Sequence, residues 1–302
     1  MKLSIIIPFY NEEKNIPLLL DELQKELKKI GKEYEIILVD DGSTPLRPSD
    51  SEGFARQAKT KNIRLFTHRK RMGKGEALAT GIKNATGDYI VFMDGDLQDD
   101  PADVHKFLQK IEQGADLVNG IRSKRNDNLL IKLYSFFANV VLHLFFHSPF
   151  TDINCGFKMF KKELLDEYPL YGNNFRFFPL SVYYRGYVVE EVAVHNRKRV
   201  YGVSKFGSMK LFAGILDMIT AYFVFLFAEQ PLHFFGMIGG VLFVIGLGIS
   251  IYLAIERIFF NVLLYRRPLL QLGVVLIIVG IQIVVTGLIG ELIVYLNKQT
   301  KK

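Results

Sequence analysis

Tryptophan is absent and cysteine occurs once, at Cys155. A single thiol excludes an intrachain disulfide and leaves the redox compartment open. Neither G-x-G-x-x-G nor G-x-x-x-x-G-K-[ST] occurs, so ordinary NAD chemistry and a P-loop both lack their signatures. His68, His143, His147, His195 and His233 share no metal-ligand spacing and read as structural. The N-terminus does not read as a signal peptide: Ile5 to Ile7 is too short, and Pro8 and Asn11-Glu12-Glu13 interrupt it.

What is present is apolar and basic. Hydrophobic residues make up 49% of the 302, and their excess concentrates after about residue 211. The formal charge of +7 points to anionic partners: nucleic acid, anionic lipid or nucleotide ligands. Phe234 to Ile255 and Leu269 to Ile289 carry no charge, and each is long enough to span a bilayer core as a helix. The connector Glu256 to Pro268 makes them a hairpin over 231–302, the second helix running to about 296. Gly236, Gly239, Gly240, Gly280, Gly287 and Gly290 would allow close helix approach, and contacts between copies through these helices are a candidate assembly. Nucleic-acid binding would explain the charge but not the hairpin. The positive-inside rule leans toward cytoplasmic ends, with Lys298, Lys301 and Lys302 set against Arg257, Arg266 and Arg267.

The first 120 residues alternate short β-branched runs with amphipathic helical stretches. Leu3 to Ile7, Glu35 to Val39, Ile63 to Thr67, Tyr89 to Met93 and Asp116 to Asn119 read as strands. Leu18, Leu19, Leu23, Leu27 and Ile30 keep a helical period, and Asp100-Pro101 reads as a helix cap. The alternation predicts an α/β fold with a mainly parallel, doubly wound sheet over 1–210. The apolar, aromatic stretch at about 129–147 is broken by Lys132 and His143, so it reads as an interfacial helix or a buried core helix. The juxtamembrane stretch 211–230 reads as a second interfacial helix.

Chemistry concentrates at strand ends. Asp94-Gly95-Asp96-Leu97-Gln98 follows the apolar Tyr89 run, and two carboxylates on such a turn suit Mg²⁺ or Mn²⁺ with diphosphate oxygens in the remaining positions. The bland alternative is a surface Asp-Gly turn. Pro8, Tyr10, Asn11 and Glu12 follow the first strand, where a ring and a carboxylate suit a base or ribose, or merely end the strand. Asp40 and Asp41 close the second strand and suit ribose hydroxyls or a base N–H, or make an ordinary turn. Arg69 to Gly75 precedes a helix whose N-terminus, with Lys74, invites phosphate. Arg197, Lys198, Arg199 and Lys205 form a basic stretch that suits lipid headgroups or an acceptor phosphate.

Together these strings resemble glycosyltransferase family 2, and within it the polyprenyl-phosphate glycosyltransferases related to dolichyl-phosphate mannose synthase. The strings are "IIPFYNE" at 5–12, "VDDGS" at 39–43, "GKGEAL" at 73–78, "DGDLQDDP" at 94–101, "DINCGFKMF" at 152–160, "HNRKRVYGVSKFG" at 195–207 and "GLIGEL" at 287–292. The branch with two C-terminal transmembrane helices is the nearest in pattern. The resemblance implies a GT-A (Rossmann-like) catalytic domain, a nucleotide-sugar donor, and a membrane polyprenyl (undecaprenyl or dolichyl) phosphate acceptor. It assigns Pro8, Tyr10, Glu12, Asp40, Asp41, Lys74 and Asp94 to the donor, and Asp94, Asp96 and Gln98 to Mg²⁺ or Mn²⁺. Arg122, Arg125, Arg199 and Lys205 fall to the phosphates, with Asp96, Arg122, Arg199 and Lys205 as the catalytic set.

An inverting transfer from UDP-glucose, or in second place GDP-mannose, is the expected reaction. Two departures stand out: the loop "TPLRPSDSEGFARQ" lacks the family's usual Asp-Gly-Thr continuation, and Lys158 replaces an arginine common in "GFR". Asp152 reads as an arginine partner, or as a general base if the acceptor were a hydroxyl. Hydroxyl-directed synthases are disfavoured by the missing Gln-x-x-Arg-Trp-like segment. A non-catalytic protein binding nucleotide-sugars or lipid phosphates is the remaining alternative.

Overall fold

The computed structural model describes residues 1–44, 62–122, 148–168, 174–197, 220, 223, 227, 230–261 and 268–300. They fall in two compact units, Met1–Ala213 and Gly214–Lys302. The expected interfacial helix at 129–147, most of 211–230, and Arg125, Arg199 and Lys205 lie outside the described residues.

The first unit runs β1 (Lys2–Phe9), α1 (Asn15–Ile30), β2 (Glu33–Asp40), β3 (Ile63–Thr67), α2 (Lys74–Asn84) and β4 (Tyr89–Phe92). A 3₁₀ turn (Pro101–Asp103) then leads into α3 (Val104–Glu112), followed by β5 (Leu117–Arg122), β6 (Lys158–Lys161), α4 (Leu164–Glu167), α5 (Phe178–Tyr184) and β7 (Val189–Val194). Seven strands form one sheet in the order β3-β2-β1-β4-β6-β5-β7. β1 to β4 are parallel, β6 runs antiparallel to both its neighbours, and β7 is parallel to β5. All five expected strands are there, in a mixed but mostly parallel sheet.

Burial explains the strand composition. Seven of the eight β1 residues are buried, because helices cover both faces of a parallel sheet. α1 buries Ile16, Leu19, Leu20, Leu23 and Leu27. Leu18, expected on that face, is 46% exposed, and Ile16 and Leu20 take its place. Asp100 caps the 3₁₀ turn as its spacing foretold, its carboxylate accepting from the Ala102 N–H at 3.0 Å with Pro101 in the first turn.

The order in which strands are added reverses between β1 and β4. From β1 the chain builds outward through β2 and β3, then returns to the other side of β1 as β4. Ligands of open α/β sheets bind beyond the carboxyl ends of strands at such a point. The turns after β1, β2 and β4, which carry Tyr10, Asp41 and Asp94, therefore share one edge of the sheet.

The second unit contains α6 (Pro231–Phe260) and α7 (Pro268–Thr300), both long and apolar enough to cross a membrane. Only 17% of either hydrophobic stretch is buried, whereas a core helix of a water-soluble domain is mostly buried. They pack through glycines spaced by seven: Gly239 and Gly246 on α6, Gly273, Gly280 and Gly287 on α7. A Cβ on Gly239 would stand 2.5 Å from the Gly280 carbonyl oxygen, and one on Gly246 2.6 Å from that of Gly273. Small residues at a seven-residue spacing let two backbones approach in a left-handed pair. Gly236 and Gly240, expected in that seam, meet nothing of α7. Glu291 on α7 accepts from the Leu232 N–H at 3.3 Å, so it caps the opening of α6 and supports the helix-contact reading of this carboxylate.

Candidate active site

The acidic turn after β4 is built around itself. Asp96, 9% exposed, accepts from the Gln98 N–H at 3.2 Å, and Leu97 takes a left-handed φ of 62° to close the loop. Asp99 turns back to accept from the Asp94 N–H at 3.0 Å. Burial, with the neighbouring charges of Asp94 and Asp96, pushes the Asp99 carboxyl up to about 7. Three carboxylates, Asp94, Asp96 and Asp99, are thus close enough to raise the cost of one another's charge.

One cation already stands on this turn: the Lys74 ammonium, from the start of α2, is ion-paired with Asp94. Gly156 completes the cradle, since a Cβ there would meet the Asp94 carboxylate at 2.8 Å and the Lys74 Nζ at 2.9 Å. Lys74 also lies 5.3 Å from the centre of the Phe175 ring. Among the described residues no three His, Cys, Asp or Glu side chains converge as a metal cage. A Mg²⁺- or Mn²⁺-sized ion carrying diphosphate oxygens needs only one or two protein carboxylates, so Asp94 and Asp96 fit it as hard oxygen donors. Gln98 flanks this pair, half-buried, its carbonyl accepting from the Arg197 N–H at 2.9 Å.

The turns after β1 and β2 are tied to each other and to the loop before α2. The Asn11 N–H donates to Ser43 Oγ at 2.9 Å, and Asp40 Oδ1 accepts from the Ser43 N–H at 2.9 Å and its hydroxyl at 2.6 Å. Glu12 Oε2 accepts from Asn15 Nδ2 at 2.5 Å, which holds that carboxylate at the head of α1. Pro8 and Phe9 continue β1 in register with Val39 and Asp40. Asp41 is buried, and its carboxylate accepts the N–H groups of Met72 at 2.8 Å and Gly73 at 2.9 Å, with His68 Nδ1 at 3.0 Å. Asp41 thus takes the two amides just before α2, those of Met72 and of the N-cap Gly73, and not those of the helix's first turn.

Arg71 was not singled out from its basic run, yet its guanidinium lies 4.5 Å from the Tyr10 ring centre. That stack lies at the edge where β1 and β2 end. Asp99 and Gly156 likewise lie inside motifs whose spacing does not reveal their individual roles.

A second cluster forms where β5, β6 and β7 run side by side. Register pairs Asn119 with both Lys158 and Glu191. Arg122, at the end of β5, grips Asp152 with two parallel bonds, Nε to Oδ2 at 2.8 Å and Nη2 to Oδ1 at 2.9 Å. Burial opposes the Arg122 charge, but the carboxylate outweighs it and raises the guanidinium pKa above its ordinary value. The arginine-partner reading of Asp152 is the one this geometry supports. Arg197 is engaged too, with Glu22 at 2.5 Å and Asp100 at 2.7 Å. Cys155 is 1% exposed, and burial lifts its thiol to about 11, which leaves it inert at neutral pH.

Lys158 is fully buried, donating to Asn119 Oδ1 at 2.5 Å and the Ile153 carbonyl at 3.1 Å. Burial lowers its pKa from 10.5 to about 8. Below about pH 8 both folded and unfolded chains hold this proton, and the penalty for burying the charge is fully present. Between there and 10.5 only the unfolded chain holds it, so this group's contribution to stability rises with pH, by roughly 3 kcal/mol in total. Lys158→Met is expected to abolish that rise, checked by circular dichroism melts from pH 7 to 10.

Residues 4–169, more than half of the chain, match the family model for glycosyl transferase family 2. Over 299 residues the chain is 31% identical to dodecaprenyl-phosphate galacturonate synthase of Rhizobium johnstonii, covering 97% of this chain and 88% of the relative. Over 293 residues it is 28% identical to undecaprenyl-phosphate 4-deoxy-4-formamido-L-arabinose transferase of Enterobacter sp. (strain 638), again covering 97% and 88%. Glucosyl-3-phosphoglycerate synthase from Mycobacterium tuberculosis superposes with a TM-score of 0.57 at 21% identity, covering 73% of this chain and 79% of that one. Mannosyl-3-phosphoglycerate synthase from Rubrobacter xylanophilus gives 0.57 at 16% identity, covering 73% of each. These two likenesses speak to the GT-A fold alone. The chain belongs to glycosyl transferase family 2 and is a glycosyltransferase.

Proposed function

We propose that this glycosyltransferase moves one sugar from a nucleotide-sugar to a polyprenyl phosphate held in the membrane. The observation that carries the reading is the pairing of two features: the acidic cradle of Asp94, Asp96 and Lys74, and two membrane-length helices in the same chain. The two relatives described above, both named for acting on polyprenyl phosphates and matched over nearly the whole chain, support it. Tyr10, Arg71, Asp40 and Lys74 hold the donor, with Pro8, Glu12 and Asp41 shaping the turns beneath it. Arg122, Arg125, Arg199 and Lys205 receive the acceptor phosphate.

The chemistry needs charge management more than a strong base. A phosphate monoester is already an anion near pH 7 and attacks the anomeric carbon directly. Two unit negative charges about 5 Å apart repel by roughly 3 kcal/mol at an effective dielectric of 20. Asp94 and Asp96 would hold a divalent cation, which would supply Lewis-acid neutralisation of the departing diphosphate. Lys74 neutralises the donor side, and Arg122 the acceptor side. Attack from behind inverts the anomeric centre and yields a β-linked lipid-phosphate sugar from an α-linked donor. With both oxygens of Asp152 bonded to Arg122, a base role toward a hydroxyl acceptor has no geometric support.

UDP-glucose is the first donor in this reading and GDP-mannose the second, with the catalytic unit and both termini on the cytoplasmic side. The test is a panel of nucleotide-sugars offered with undecaprenyl phosphate and Mg²⁺ or Mn²⁺, the lipid product separated by thin-layer chromatography. One donor is expected to give a labelled lipid, and no product with any donor would refute the proposal.

A further inference from the structure

We infer that Glu191 is a positioning residue that sets the Arg122 guanidinium through the 151–152 backbone; its tie to the acceptor phosphate rests on the function proposed above. Glu191 sits mid-strand in β7, far along the chain from the segment it holds. Its carboxylate accepts from the Thr151 N–H at 3.0 Å, the Thr151 hydroxyl at 2.8 Å and Asn119 Nδ2 at 3.2 Å. Asn119 Nδ2 also donates to the Asp152 carbonyl at 3.0 Å, and Asn119 Oδ1 accepts from buried Lys158.

These bonds converge on one short stretch of backbone. Asp152 has no regular secondary structure to hold it, lying between the end of β5 and the start of β6. Glu191 and Asn119 fix its backbone on two sides, and its carboxylate then fixes the Arg122 fork. A bidentate pair tolerates little displacement, so loosening Thr151 loosens Arg122. Glu191 acts at a distance: its carboxylate bonds to Thr151, Asn119 and the Asp152 N–H, not to Arg122 itself.

The test uses the full-length protein in detergent micelles, with Glu191→Gln, Asp152→Asn and the double variant. Arg122 reactivity toward phenylglyoxal, read by peptide mass spectrometry, is expected to rise about fivefold in Glu191→Gln while Arg64 stays unchanged. The double variant is expected to equal Asp152→Asn alone, since one residue acts through the other. In kinetics, the KM for undecaprenyl phosphate is expected to rise about tenfold and the donor KM to stay within about twofold. An unchanged Arg122 rate, additive effects in the double variant, or equal rises in both KM values would overturn the inference. A wild-type enzyme inactive on every polyprenyl phosphate would refute the acceptor reading instead, and the Arg122 modification rate would still decide the positioning role.

Discussion

Replacing Asp96 with asparagine is expected to lower kcat by about 10²- to 10³-fold while the protein folds and inserts as before. The substitution is nearly isosteric, and the asparagine Oδ1 can still accept the Gln98 N–H that closes the turn. What it removes is charge. With one carboxylate of the pair neutral, the site loses much of its attraction for a divalent cation, and the leaving diphosphate keeps more of its own charge. Donor binding measured in the absence of metal should change little, which separates this effect from misfolding. Turnover equal to that of the unmodified enzyme would remove Asp96 from the site.

The second large effect is expected from a single methyl group at Gly42. This glycine follows Asp41 with φ of +72°, a region that disfavours side chains. A Cβ there would stand 2.6 Å from the Arg71 backbone nitrogen and 2.9 Å from the Lys70 Cα, both parts of a backbone held by Asp41. Gly42→Ala is therefore expected to destabilise the first unit by about 2–4 kcal/mol. It should also raise the donor KM, because pushing the 68–73 loop outward moves Arg71 off Tyr10 and disturbs the approach to Lys74. Circular dichroism suits the stability measurement, as the chain has no tryptophan to report by fluorescence. A melting temperature within one degree of the parent would mean that the turn and the loop are not in close contact.

The parallel half of the sheet was legible because its strands are continuous apolar runs separated by helical periods. β6 and β7 were not: β6 is four residues with lysine at each end, and β7 carries Glu190-Glu191 in its middle. Each strand gives one polar residue to the second cluster, Lys158 and Glu191, while Lys161 pairs with Asp116 and Glu190 with Lys110. Lys158 is the clearest case, a fully buried lysine at the start of a strand that pairs with Asn119 rather than with solvent.

The acidic turn could be read from its spacing, but what each acid does could not. Asp40 and Asp41 are neighbours in one motif, yet one closes its own turn while the other braces a loop some thirty residues on. Such partners depend on how close the 68–73 loop comes to β2, which no local pattern encodes. The same holds for the hairpin. Glycine content announced close packing, but only the register of α6 against α7 chose Gly246 and Gly273 over Gly236 and Gly240.

The most direct measurement compares initial rates of sugar transfer to undecaprenyl phosphate and to undecaprenol, each with Mg²⁺ or Mn²⁺ present and after chelation. The account predicts transfer to the phosphate alone, lost with chelator and restored when the cation is returned. Equal use of the uncharged alcohol, or a rate indifferent to chelation, would contradict it.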